Sequence, residues 1–231
     1  MSELLSNIEN LPPPFDLLPF LLQGLHITVI LAAGGSLVAI VLSVLFGVWS
    51  KSKDPILRWL SSIYITLFRG ASALILLYWF YFALPELTNI RLDAITTGIL
   101  VLGANVGAYG AEVVRASLDS VPKGQYQAAA ALNLNRWQTM RYVIFPQAVL
   151  SMIPPFGNLM IELLKGTALV STITVTDLTL QGKFLRDDTH RSFEIFGLLL
   201  IIYFLLSICI TGAFRLLERR LSHGRDYGGG Q

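Results

Sequence analysis

The chain is short of charge. Only 14% of its 231 residues are charged, against about a quarter in an ordinary soluble domain. Its one cysteine, Cys209, lies in an apolar run, so a disulfide framework or thiolate cluster is excluded and a packing role remains. Three histidines, His26, His190 and His223, fall in different regions. They form no catalytic or metal-binding constellation, and an enzyme is not expected. No G-x-x-x-x-G-K-[ST] run occurs, so the chain should not bind ATP itself. A net charge of +2 is too small to argue for nucleic acid. The N-terminus is acidic and proline-rich (Glu3, Glu9, Pro12, Pro13, Pro14, Asp16); without a basic start, no cleaved signal peptide is expected. There is no internal repeat, and no hydrophilic piece amounts to a soluble domain.

What the chain has instead is apolar length. Hydrophobic residues make up 54% of it. A bilayer span takes roughly 20 helical residues, and five segments suffice: Leu25–Trp49, Leu57–Leu84, Ala94–Val114, Val149–Val175 and Phe193–Leu217. The expected fold is therefore an all-α integral membrane protein with five transmembrane helices. Before the first span, Phe15–Gly24 reads either as a short interfacial helix or as an extension of that span. One set of connections carries Lys51, Lys53, Arg58, Arg115, Lys123, Arg136, Arg141, Arg215, Arg219, Arg220 and Arg225; the other carries Arg91, Lys183, Arg186 and Arg191. Eleven cations against four put the first set in the cytoplasm, the N-terminus out and the C-terminus in. The expected layout is a periplasmic tail and interfacial helix over 1–24, a membrane domain over 25–217 with a cytoplasmic loop over 116–147, and a cytoplasmic tail over 218–231. The tail's GGGQ end is expected to be disordered.

That loop is patterned like something built to be gripped. Ser120 is a candidate N-cap and Pro122 a candidate first helical residue. The run Gln125–Leu132 is rich in helix formers. Asn133 breaks it, and asparagine tolerates the left-handed conformation of helix ends. Asn135 can cap a second short helix, Arg136–Tyr142, and Pro146 closes the loop. The turn presents Leu132, Leu134 and Trp137 beside Arg136 and Arg141. Such a ridge suits a groove on a partner protein; alternatively it lies on lipid headgroups.

Here the residues resemble a family. GQYQAAAALNLNRWQTMRYVIFPQA is similar to the "EAA" loop of permease subunits of ATP-binding-cassette importers, within the polar amino acid uptake branch. The match rests on Gly124, Gln125, Ala128, Ala129, Ala131, Leu132, Gln138, Pro146, Gln147 and Ala148. Phe68–Gly70 and Gly157–Leu178 resemble two further family segments, as does the lead into the loop; the likeness runs from about Gly24 to Leu217. Gln127 stands where the family has its acid, and Asn133 where it has glycine. The resemblance implies a type I importer fold and a coupling loop that docks on a separate ATPase homodimer, which holds the ATP and Mg. It also implies a second permease subunit (self or paralogue), an extracytoplasmic substrate-binding protein and a multi-pass inner-membrane location. The stretches FRGASALILLYWFYFALPEL and LMIELLKGTALVSTITVTDL are most similar to permeases for ectoine and hydroxyectoine, which makes a zwitterionic compatible solute one expectation beside a polar amino acid.

Polar groups inside a membrane are costly and so point to function. The candidates for a substrate path are Asn105, Asn158, Glu162, Lys165 and Thr167. Glu162 and Lys165, three apart, either neutralise one another or face a zwitterionic solute. Glu112 and Arg115 read as a structural pair. Gly103, Gly107 and Ala111 line small residues along one helix face. Pro154, Pro155 and Gly166 make the fourth span a candidate broken helix. An ion-coupled secondary transporter working without an ATPase is the rival account; a channel or structural membrane subunit is a second.

Overall fold

In the computed structural model, residues 13–222 are described; the GGGQ tail lies outside them. No strand occurs among the described residues. A turn of 3-10 helix, Phe15–Leu17, runs straight into α1, Leu18–Trp49. The extension reading of Phe15–Gly24 is therefore the one realised: among the described residues this segment is continuous with α1. The remaining helices are α2 (Pro55–Gly70), α3 (Ala73–Thr88), α4 (Ala94–Ser120), α5 (Lys123–Ala131), α6 (Arg136–Ile173), α7 (Leu178–Thr189) and α8 (Ser192–Ser222). The helices α1, α4, α6 and α8 are each long and apolar enough to cross a membrane. The pair α2 and α3 is together long and apolar enough for a fifth, as a broken span or a re-entrant loop, and is bent by 104° at the break.

The bundle is built on a seam between α1 and α4. Gly35, Ala39, Ser43 and Gly47 recur every fourth residue on the buried face of α1. They meet Gly103, Gly107 and Ala111, the small-residue face expected on the third span. Small residues let backbones approach closely where lipid offers no hydrophobic drive to associate. A Cβ on Gly103 would stand 2.7 Å from the Val38 Cβ and 2.9 Å from the Gly35 carbonyl oxygen. The approach lets the Ser43 hydroxyl, which donates to Ala39 O at 2.6 Å, also reach Gly107 O at 3.1 Å.

Three expectations need correction. The second span is not one helix over Leu57–Leu84: Ala71 and Ser72 are extended and split it. The break follows FRG, and the buried Asn105 side chain donates to the carbonyl of Phe68 at 2.6 Å. The fourth span is less broken than its prolines suggest. It stays α-helical through Pro154 and Pro155 and gives way to 3-10 helix only after Gly166. The carbonyls those prolines leave without a helical donor belong to Leu150 and to the exposed Ser151, away from the most tightly packed face. Finally, Pro146 does not close the loop. A π-helical turn, Thr139–Ile144, leads through it, so the loop's second helix is the start of α6. The same device recurs in α3, where the π turn Trp79–Ala83 precedes Pro85. A wider turn is one way a helix absorbs a lost donor.

Beyond α6, the connection folds into α7, a helix absent from the sequence reading. Asp177 caps it, its Oδ1 accepting from Leu180 N at 2.9 Å. Asp177 is fully buried, and its Oδ2 has no partner among the described residues. The Leu178 amide donates to Thr28 Oγ1 at 3.0 Å, pinning this junction to α1. Burial pushes the Asp177 carboxyl above the usual range, opposed by its hydrogen bonds to Leu180 and Thr179 and by the Lys183 charge.

Two predictions follow from the packing and the buried acid. Gly103→Val forces its methyls into backbone, so the protein should lose a well-defined melting transition in detergent; an unchanged transition would show that the seam can open. Asp177 binds its proton more tightly folded than unfolded. Its contribution to stability is therefore full below the ordinary carboxylate value of about 4 and fades as pH rises through the folded value. Asp177→Asn keeps a capping oxygen and stays neutral. Melting against pH should be flatter for this variant, with no loss at neutral pH; an undiminished slope would assign the pH dependence elsewhere.

Candidate functional site: the loop between α4 and α6 and the open face of the fourth span

The loop between α4 and α6 is held in shape by its two asparagines. Ser120 is the last residue of α4, its hydroxyl donating to Ser117 O at 2.8 Å, and Pro122 is itself the cap residue of α5. The helix thus begins one residue later than Pro122 suggested. Asn133 takes the left-handed conformation with φ 53°. Its amide donates to Ala130 O at 3.0 Å and that of Leu134 to Ala129 O at 3.1 Å. This paired closure is the Schellman ending, which requires a residue able to hold positive φ. Asn135 opens α6 with a capping box: its Oδ1 accepts from Gln138 N at 2.8 Å, and its own amide donates to Gln138 Oε1 at 2.9 Å.

The result is a rigid turn with its apolar tip outward. Leu132 is 74% and Trp137 68% exposed. Gly124, Gln127, Ala128, Asn133 and Arg136 are also exposed, while Leu134 is half-buried and Ala129 is buried against the rest of the molecule. Gln147 links the loop to the span, its Nε2 donating to Gln125 Oε1 at 3.2 Å and to Val143 O at 2.8 Å. Sequence reasoning matched Gln147 to the motif without giving it this role.

Next to the loop runs a ladder of charge. The Glu112 carboxylate accepts from Arg115 at 2.6 Å and stands 3.7 Å from Arg69. Arg115 lies 3.9 Å from Asp119, which also pairs with Lys51. The Glu112–Arg115 pair is thus present and extends to α2 and the α1–α2 connection. Each link is partly exposed and individually weak; together they tie three segments at one end of the bundle.

The five expected path residues divide in two. Asn105 and Thr167 are buried, the first on Phe68 O and the second with its hydroxyl on Leu164 O at 2.7 Å. Asn158, Glu162 and Lys165 are exposed on one face of α6, at helical spacings of four and three. Among the described residues, no ion pair joins Glu162 to Lys165 within 4.0 Å. Ser151, seven residues before Asn158, continues the same open face and was missed; the helical register was the available signal. Asn158 also lines a cavity of about 200 Å³ with Pro154, Thr211 and Arg215.

Residues 39–223 match the family model described as the binding-protein-dependent transport system inner membrane component. The chain belongs to this family, in its amino-acid ABC permease branch. It is 39% identical over 192 residues to a probable amino-acid ABC transporter permease protein, y4tF, of Sinorhizobium fredii, covering 81% of each chain. It is 33% identical over 205 residues to the glutamine transport system permease protein GlnP of Escherichia coli, covering 88% of this chain and 94% of that one. The crystal structure of an amino acid ABC transporter with histidines superposes with TM-score 0.80 at 32% identity, over 87% of this chain and 94% of the other. An inward-facing structure of the MetNI methionine ABC transporter shares the fold, with TM-score 0.77 at 18% identity over 91% of this chain. The ATP-binding-cassette permease fold and multi-pass membrane location are thereby confirmed.

The two asparagines give a test of the loop's construction. Asn135→Ala should cost about 1 kcal/mol through the lost cap, and Asn133→Val a comparable amount through strained positive φ. Asn133→Gly should be tolerated. Hydrogen exchange of the loop amides reads these differences directly; equal protection in all three variants would mean that the loop is held by other contacts.

Proposed function

We propose that this permease forms half of the translocation path of an ATP-driven importer for a polar amino acid or a zwitterionic relative such as ectoine or hydroxyectoine. The observation that carries the reading is the line of Asn158, Glu162 and Lys165 on the open face of α6. An acid and a base exposed on a membrane-crossing helix, unpaired with each other, are expensive against lipid. A second permease subunit, a copy or a paralogue, would cover this face and leave the polar line beside a solute carrying both charges. Asn105 and Thr167 support the wall of that path from within the packing. Relatives named for amino acids and for glutamine support the substrate class; ectoine rests on the likeness of the second-span and fourth-span stretches.

The loop is the proposed coupling element. ATP and Mg would be bound by a separate ATPase homodimer whose groove receives the tip at Leu132, with Leu134, Arg136 and Trp137 beside it. Closing of the ATPase pair would push on α6 without an intervening hinge, because the loop's second helix is continuous with that span. An extracytoplasmic binding protein would deliver the solute. An ion-coupled carrier has no use for a docking ridge of this kind, and nothing in the molecule favours it.

The test is ATP-driven uptake in liposomes by the complex with its binding protein, using a panel of polar amino acids, ectoine and hydroxyectoine. Glu162→Gln and Lys165→Met should each lower uptake at limiting solute by about tenfold or more, the worth of a hydrogen bond to a charged group. The paired variant Leu132→Asp, Leu134→Asp should abolish ATP-dependent uptake while the permease remains folded. Unchanged affinity and rate in the first two would remove them from the path. Uptake that persists without the ATPase would favour the ion-coupled carrier.

A further inference from the structure

The connection after α1 and the coupling loop enclose a groove behind the loop's tip, and its loop wall shares Leu134, Arg136 and Trp137 with the surface proposed above for coupling. Its volume is about 710 Å³, and its walls include Trp49, Lys51, Lys53, Arg136, Trp137 and Met140. No acidic residue lines it. Lys51 is engaged by Asp119 outside the groove, and Asp54, the nearest acid in sequence to Lys53, is occupied in capping α2 through Ile56 N at 2.8 Å. Neither Lys53 nor Arg136 has an ion pair among the described residues. The groove therefore holds an excess of positive charge.

Its position says what would neutralise that excess. Val48 and Trp49 are the last residues of a membrane-crossing helix, so one wall of the groove is the cytoplasmic end of α1. Tryptophan at such an end sits at headgroup depth. The wall also carries Val48, Leu134 and Met140, apolar surface that suits the upper part of an acyl chain. Basic pockets on the cytoplasmic side of membrane proteins attract anionic headgroups.

We propose that this groove binds the headgroup of an anionic phospholipid from the cytoplasmic leaflet, with its phosphate between Lys53 and Arg136 and its upper acyl chain along Val48 and Met140. Because the far wall is the coupling loop itself, the lipid would brace the loop against the end of α1. The inference adds a lipid site to the loop proposed above for coupling, and its binding can be read without transport.

The test uses the full-length permease in nanodiscs, with Trp59→Phe and Trp79→Phe leaving Trp49 and Trp137 as the only tryptophans. Phosphatidylglycerol with brominated acyl chains, at low mole fraction in phosphatidylcholine, should quench their fluorescence more than brominated phosphatidylcholine does. Lys53→Gln should lower that preference about fivefold, the effect of one cation near a charged surface. High salt should weaken it. Equal quenching by the two lipids, or a preference untouched by Lys53→Gln, would overturn the site. Two controls identify other occupants: saturable binding of soluble glycerol phosphate with no preference for brominated phosphatidylglycerol would mean a free-phosphate site, and relief of quenching by the ATPase subunit would mean that the groove belongs to the protein contact. Either result would overturn the lipid assignment while leaving the transport reading intact.

Discussion

Backbone contact between α1 and α4 is the constraint on which the rest of the molecule depends. Lipid is as apolar as leucine, so helices in a membrane gain nothing by hiding leucine from it. They associate where close packing and hydrogen bonds are available. Gly35, Ala39, Ser43 and Gly47 on one helix and Gly103, Gly107 and Ala111 on the other supply both. With the backbones that near, a serine hydroxyl reaches across to a glycine carbonyl, and Tyr64 on α2 donates to Ala104 O at 2.7 Å.

Two of the irregularities are tied to this central pair by hydrogen bonds. The gap between α2 and α3 leaves carbonyls without helical donors, and Asn105 on the central helix supplies one. An asparagine that looks from composition like a solute ligand is accounted for by the cost of unpaired backbone in a membrane. At the other end, Thr28 on α1 receives the first amide of α7, so the turn after α6 is tied to the same central pair. Prolines 85 and 146 are passed by π turns and not by breaks.

The loop and the open face of α6 are joined by continuous helix. The helix capped by Asn135 runs on through Pro146, so Trp137 stands on the same helical stretch that carries Asn158, Glu162 and Lys165. The charge ladder from Lys51 through Asp119, Arg115 and Glu112 to Arg69 holds α2 and the α1–α2 connection at the same end. Stiffness here comes from continuous helix and capped turns, which bend less readily than an open loop.

Much of this was legible in the sequence by itself. Apolar length announced a multi-pass membrane protein, because a bilayer has a fixed thickness. Asn133 and Asn135 announced a tight helix turn because few residues accept or cap those conformations. The EAA-like spacing named the family. Tertiary structure decided what depended on neighbours. Whether Pro154 breaks a helix, whether Phe15–Gly24 stands apart from the first span, and whether Asn105 faces a solute or a carbonyl are questions about what lies across the gap. The same holds for Glu162 and Lys165: helical spacing permits a pair, and only their side-chain placement leaves them apart. Local chemistry limits what each residue can do, and packing against residues distant in sequence selects among those options.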